Sequence, residues 1–306
     1  MINAKNALKK SVEIYNAEAL LNCYNYRMKN IAIITGASSG LGKEFTKQIS
    51  KTKNYDEIWI IARRLEKLEE LAEEINNEKK AKIIKPISMD ISSKDSVYTL
   101  KQLIEEENES LKNIESGIEI GLLINNAGFG TYGPFEESSL SKEMSMIDLN
   151  CTTLTGFCSI ALPYLTKESV IINTASLAAF LPLGNFAVYA ATKSYVLSFS
   201  IALAAELKNK GVKVCALCPG SVSTEFANVA SNGARKEVLG GISPEKVVSH
   251  CIRLAFKGKK IALYRPKWRF TAFMSHFIGR YFGARYTFLH NKRPHAPENV
   301  TDGFKL

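Results

Sequence analysis

The sequence predicts an α/β fold: a single doubly wound parallel sheet with helices on both faces. Three observations carry that expectation. Short apolar runs alternate with stretches of helical periodicity along most of the chain. The runs are apolar at consecutive positions, as strands buried on both faces are. A chain of 306 residues with 46% hydrophobic content also has enough apolar surface for one large core.

Each element can be read in order. Ile31 to Thr35 is a short buried strand, followed by a helix over residues 40–51. Glu57 to Ala62 is the second strand. Leu65, Leu68, Leu71, Ala72 and Ile75 then recur at helical spacing. Lys82 to Ile87 forms a third strand, and Pro86 marks it as an edge or a strand end because proline cannot donate to a ladder. A charged helix runs from about Lys94 to Leu111. Gly121 to Asn125 is the next strand, and residues 140–165 read as one long helix. Ser169 to Thr174 and Val212 to Leu217 are strands flanking a helix that carries Tyr189 and Lys193. Ser243 and Pro244 open another helix, with a capping residue and proline at its first position. Lys260 to Leu263 supplies a final strand.

Composition excludes several classes. The formal charge is +10, but the excess sits in one place: no Asp or Glu occurs between Cys251 and Arg293, while 11 Lys and Arg do. The rest of the chain is near neutral, which argues against a broad nucleic-acid surface. The first 28 residues lack a sustained apolar stretch, so no secretory signal is expected there. Residues 169–192 are uncharged, yet Asn173, Pro182, Gly184 and Asn185 break them up, which argues against a membrane span. Cys215 and Cys218 have redox or zinc spacing but lie in an apolar run without a second pair, so they read as buried strand thiols. With no disulfide framework, a cytoplasmic location is expected. His250, His276, His290 and His295 show no ligand spacing, and no metal is expected.

Tyr189 and Lys193 are the residues most suggestive of chemistry. At i and i+4 on a helix they share a face. A free tyrosine ionises too high to exchange protons at neutrality, and bringing it there needs roughly 4 kcal/mol of differential stabilisation. A neighbouring ammonium supplies stabilisation of that kind and makes the phenol a general acid/base. The glycine-rich turn Gly36, Ser38, Ser39, Gly40, Leu41, Gly42 joins the first strand to the first helix. There, backbone N–H groups and a helix N-terminus can approach a pyrophosphate. Arg63 and Arg64 stand at the end of the second strand, where NAD-selective sites place an acidic residue for the ribose hydroxyl. A guanidinium there suits a 2′-phosphate, which favours NADP(H) over NAD(H).

With these pieces in order, residues 29–263 resemble the short-chain dehydrogenase/reductase family. Thr35, Gly36, Gly40 and Gly42 match its cofactor turn. Asn125, Asn126, Ala127 and Gly128 match the motif bordering its cofactor, and Asp90 its adenine-side aspartate. Asn150 matches its helix asparagine, Ser176 its serine, and Pro219, Gly220, Val222 and Thr224 the segment beside the nicotinamide. The resemblance implies a single Rossmann-type domain and a hydride transfer between NADP(H) and a carbonyl or secondary alcohol. It implies that Tyr189 moves the proton, Lys193 tunes Tyr189 and holds the ribose, Ser176 orients the substrate oxygen, and Asn150 holds a water linking Lys193 to solvent. Homodimers or homotetramers are the assemblies it implies. A second reading, a catalytically idle NADP(H)-binding sensor or interaction protein, is disfavoured because all four catalytic positions are retained.

Three regions bear on substrate and boundaries. Phe129, Tyr132, Phe135 and the run Leu177 to Leu183 suit a hydrophobic carbonyl or alcohol, such as a 3-oxoacyl or other lipid-like ketone. Residues 225–241 stand where the family often has a lid. In the tail, residues 264–306, the spacing of Phe270, Phe273, Met274, Phe277, Ile278 and Tyr281 predicts one amphipathic helix. That helix either packs on its own domain or partner and closes the pocket, or lies on an anionic membrane surface. Residues 1–27 precede the family pattern, as an accessory segment or an over-long start; residues 28–263 form the dehydrogenase domain.

Overall fold

The computed structural model describes residues 27–111, 117–236, 238 and 240–296. The expected accessory segment over 1–27 lies outside them, apart from Arg27. Seven strands form the sheet: β1 (Lys29–Thr35), β2 (Glu57–Ala62), β3 (Ile84–Ser88), β4 (Ile118–Asn125), β5 (Val170–Thr174), β6 (Lys213–Leu217) and β7 (Ile261–Ala262). They lie in the order β3-β2-β1-β4-β5-β6-β7, each pair parallel. The chain winds outward from β1 to β3, then returns to place β4 on the other side of β1. That reversal opens a crevice at the carboxyl ends of β1 and β4, where ligands of such sheets bind.

Alternation along β1 shows why helices cover both faces. Ile31 and Ile33 enter one core layer with Leu100 of α3 (Asp95–Leu111), Phe157 of α5 (Leu154–Ala161) and Val196 of α6 (Ala187–Glu206). Ala32 and Ile34 enter the other, with Phe45 of α1 (Gly40–Thr52), Leu68 of α2 (Leu65–Lys79) and Val247 of α8 (Pro244–Phe256). Successive side chains point to opposite faces, so a run apolar at every position needs two layers. Pro86 sits in β3, the edge strand, where a missing donor is tolerated. Cys215 and Cys218 are fully buried at β6 and just beyond it. One helix among the described residues, α6, is long and apolar enough to cross a membrane. Its buried residues Val196, Leu197 and Leu203 belong instead to the core.

Two expectations change. The single helix over 140–165 is broken into α4 (Leu140–Ile147), a π-helical turn over Asp148–Thr153, α5 and a short 3₁₀ turn over Leu162–Tyr164. The wide turn carries Asn150, and its cause is visible below. The tail helix is also divided, into α9 (Pro266–Met274) and α10 (Arg280–His290), with Gly279 preceding the second. Trp268 and Ala272, one turn apart, are the residues of α9 that bury; Phe270, Phe273, Phe277 and Tyr281 are exposed. Ser243 precedes α8 as expected, with Pro244 at its first position, but the serine hydroxyl makes no capping hydrogen bond.

Phe45 is fully buried and packs α1 against the sheet beside the glycine turn. Phe45→Ala is expected to cost about 3–5 kcal/mol, measured as a fall in the urea midpoint of unfolding at constant slope.

Candidate active site

The glycine turn is built by close backbone approach. Gly36 has φ +68°, and a Cβ there would meet Ala127 Cα at 2.9 Å. A Cβ on Gly42 would fall 2.1 Å from the Gly36 carbonyl oxygen. Only glycine lets the start of α1 sit over the end of β1. Asn126 then ties β4 to β1: its Nδ2 donates to Thr35 O at 3.1 Å. Thr35 Oγ1 accepts from the backbone N–H groups of Asn126 and Ala127 at 3.0 and 3.1 Å.

A cavity of about 530 Å³ opens above this turn. It is lined by Gly36, Ser38, Ser39, Gly40, Leu41, Arg63, Arg64, Asp90, Asn126, Ala127, Gly128, Tyr189, Lys193, Pro219 and Thr224, all anticipated from sequence. The size is that of a cofactor or substrate cleft. A turn stripped of Cβ atoms, at a helix start and beside two guanidinium groups, fits a dinucleotide phosphate. Gly42, Gly220 and Val222 do not line it. Gly42 serves the turn itself. Gly220 makes room for Trp268, whose ring lies 2.5 Å from where a Cβ would stand. Val222 is buried in a bridge to Ile242.

The arginines differ in their surroundings. Arg64 donates to Ser38 Oγ at 3.1 Å and to Glu225 Oε2 at 3.0 Å, an exposed clasp across the cleft mouth. Arg63 is exposed and makes no ion pair among the described residues. Asp90 accepts from the N–H and hydroxyl of Ser92 at 3.0 and 2.8 Å. These bonds, with Arg63 nearby, hold its carboxyl below the usual carboxylate range.

At the far end of the cavity the four candidate catalytic residues come together. Lys193 is buried, and its Nζ donates to the carbonyl of Thr174 at 2.8 Å. Asn150 Oδ1 accepts from Phe129 N at 3.2 Å, and its Nδ2 donates to Phe129 O and Thr192 Oγ1, each at 3.0 Å. The π-helical turn aims Asn150 at the Phe129 backbone, which explains the break in the long helix. Gly128 separates Asn150 and Lys193: a Cβ there would lie 2.7 Å from Asn150 Oδ1 and 3.2 Å from Lys193 Nζ. Ser176 stands two residues beyond β5 and accepts from Ala178 N at 3.1 Å. Neither Asn150 nor Ser176 lines the cavity wall itself.

Charges in the chain alone differ from the sequence expectation. Burial pushes the Tyr189 phenol above its ordinary value, and a hydrogen bond with Ser176 and the charge of Arg293 act against that rise. Lys193, with Nζ 5.7 Å from the Tyr189 ring centroid, is itself pushed down to about 8 by burial. The expected lowering of Tyr189 by Lys193 is not seen in the chain alone: burial raises the phenol, and Ser176 and Arg293 oppose that rise without overcoming it.

Arg293 is a residue the sequence did not single out for this site. It belongs to a strap, residues 291–296, that follows α10 across the substrate end. Its guanidinium lies over the rings of Tyr132 and Phe186, 4.8 and 4.7 Å from their centroids. Phe186 stacks on Tyr189 at 4.2 Å, and Phe226 of α7 (Phe226–Ala230) packs against it at a tilt, 5.4 Å between centroids. Only a tertiary contact reveals Arg293; nothing in its local sequence distinguishes it from the other basic residues of the tail.

His295 pins the strap. Its Nε2 donates to Glu137 Oε2 at 2.8 Å and its Nδ1 faces the Arg293 carbonyl at 3.1 Å. Both nitrogens donate only in the imidazolium form. The Glu137 hydrogen bond raises the His295 pKa above its ordinary value. A raised folded value means that the stabilisation is full below the unfolded histidine pKa and is lost as pH rises through the folded one. Amide protection factors of the non-proline residues over 291–296, corrected for intrinsic exchange, are expected to fall as pH rises above the ordinary histidine value of about 6.5. Glu137→Gln should remove that pH dependence.

Comparison with known proteins gives the family. The family model for short chain dehydrogenase matches residues 30–234. Serine 3-dehydrogenase of Agrobacterium fabrum is 31% identical over 227 residues, covering 71% of this chain and 83% of that protein. The 17-beta-hydroxysteroid dehydrogenase type 3 of Mus musculus is 30% identical over 223 residues, covering 72% and 68%. The very-long-chain 3-oxoacyl-CoA reductase of Homo sapiens is 29% identical over 228 residues, covering 72% and 67%. In fold, a short-chain dehydrogenase of Sphingobium yanoikuyae in complex with NADPH superposes with a TM-score of 0.68 at 23% identity, covering 82% of this chain and 94% of that one. One from Burkholderia phymatum in complex with NAD gives 0.70 at 20% identity, covering 89% and 98%. With its glycine turn, Asn126, Ala127, Gly128, Tyr189 and Lys193 lining one cleft and Ser176 beside Tyr189, this chain is an oxidoreductase of the short-chain dehydrogenase/reductase family.

Proposed function

We propose that this protein interconverts a hydrophobic ketone and its secondary alcohol using NADP(H). The observation that carries the reading is the convergence of Ser176, Tyr189, Lys193 and Asn150 at one end of a cavity whose other end presents Arg63 and Arg64. A bound nicotinamide supplies or accepts the hydride. Every other task falls to the chain. Tyr189 gives its proton to the substrate oxygen, or takes it from the alcohol. Ser176 hydrogen-bonds the same oxygen and stabilises the phenolate that is left. Lys193 holds the ribose and, as a buried ammonium near neutrality, passes a proton toward Tyr189. Asn150 keeps the Gly128–Phe129 backbone in place beside Lys193 and anchors the water that refills it from solvent.

Phe129 and Phe226 line the cavity and pack with Tyr132 and Phe186 in one aromatic cluster, which supports an apolar substrate. Relatives whose names denote steroid and 3-oxoacyl-CoA chemistry point the same way, and a lipid-like ketone is the class we favour. The 2′-phosphate is assigned to Arg63, with Arg64 brought in when it exchanges Glu225 for the phosphate.

Tyr189→Phe is expected to lower NADPH-dependent ketone reduction by about 10²–10⁴-fold or more, while fluorescence titration shows NADPH affinity close to that of the unmodified enzyme. Retained turnover would sink the proton-donor assignment. Arg63→Ala should weaken NADPH by about tenfold or more and NADH little, because one charge-assisted phosphate contact is lost. Equal weakening of both cofactors would show that Arg63 does not read the phosphate. A screen of NADPH oxidation across apolar ketones, aldehydes and β-keto thioesters identifies the substrate class.

A further inference from the structure

The tail leaves a surface that neither the core nor the active site uses. Phe270, Phe273, Phe277, Tyr281, Phe282 and Tyr286 are 52% to 82% exposed and fall within 17 residues of α9, α10 and their junction. Two pairs of them are in contact: Phe273 and Phe277 meet edge to face at 5.3 Å, and Phe282 stacks with Tyr286 at 6.4 Å. Isolated exposed apolar residues are ordinary, but a contiguous aromatic patch is a docking surface. Arg265, Lys267, Arg269, Arg280 and Arg285 lie in or beside the same helices, and the sequence has no carboxylate from Cys251 to Arg293.

A second cavity adjoins this patch. It holds about 370 Å³ and its walls include Phe180, Leu254, Ile261 and Phe273, with Lys259 and Arg269 among the lining. An apolar crevice flanked by fixed cations matches an acyl chain with an anionic headgroup.

We infer that α9 and α10 dock this enzyme on an anionic lipid bilayer, with the aromatic side chains in the interface and the basic residues facing the headgroups. Aromatic side chains flanked by Lys and Arg suit that interface, and each cation near it adds attraction to anionic lipid. A second copy of the chain is the poorer occupant. A two-fold contact would set this acid-free basic patch against itself.

The placement also fits the substrate side, and in this respect the inference rests on the reading of an apolar substrate. The opposite face of α10 is fastened to the loop that precedes Tyr189. Thr287 Oγ1 accepts from Gly184 N at 2.9 Å, and Asn185 Nδ2 donates to Phe288 O at 2.9 Å. The docking surface and the aromatic wall of the active site therefore lie on two sides of one helix.

Flotation of the full-length protein through a sucrose gradient tests this without any turnover. Vesicles of equimolar phosphatidylcholine and phosphatidylglycerol are compared with phosphatidylcholine alone, at low and high salt. The protein should float with the anionic vesicles, and its partition should fall by about tenfold or more on neutral vesicles or in high salt. Phe273→Ser with Phe277→Ser should reduce it by about tenfold or more, with the unfolding midpoint confirming that the variant is folded. Failure to float with anionic vesicles, or equal partition of variant and unmodified protein, overturns the inference. So does a concentration-dependent dimer that the same substitutions dissociate without vesicle binding. Flotation together with an active Tyr189→Phe variant would count against the catalytic reading alone.

Discussion

The hydrogen bond from Lys193 Nζ to the Thr174 carbonyl fixes the geometry on which the site depends. It joins α6 to the carboxyl end of β5 and so sets Tyr189, one turn before Lys193, opposite Ser176, two residues past the strand. A buried ammonium with a carbonyl for company is poorly compensated, and burial pushes its pKa down to about 8. That value leaves Lys193 able to give and take protons near neutrality.

The cleft is polar at one end and aromatic at the other. Around the glycine turn the backbone itself is the binding surface, which is why Gly36 and Gly42 tolerate no side chain. Around Tyr189 the wall is made of rings, with Arg293 laid over two of them. Phe186 and Phe226 pack on the Tyr189 ring, which still lines the cavity, and together they shield it from most of the solvent. Removing water in this way strengthens each charge interaction inside.

Local pattern made the framework legible. The strands of the sheet could be read because buried strands are apolar at every position, and the second strand was placed at Glu57–Ala62 without error. Tyr189 with Lys193, and the turn from Gly36 to Gly42, were legible because the chemistry needs those residues at fixed short spacing. What remained hidden depends on contacts between distant residues. The π-helical turn at Asn150 answers to the Phe129 backbone, 21 residues away. The apolar stripe from Phe270 to Tyr281 is periodic but unburied, so the chain could break before Gly279 without losing core contacts. Gly220 and Val222, read by resemblance as cofactor contacts, also have packing roles the sequence did not show, against Trp268 and in a bridge to Ile242.

The central claim is that hydride passes across this cleft to a carbon whose oxygen Tyr189 protonates. Label transfer tests it most directly: NADPH deuterated at the transferable C4 position is incubated with the enzyme and apolar ketones, and the alcohols are analysed by mass spectrometry. Deuterium is expected at the carbinol carbon of at least one product, delivered from one of the two C4 positions and not the other. Bound NADPH with no label in any alcohol would contradict it.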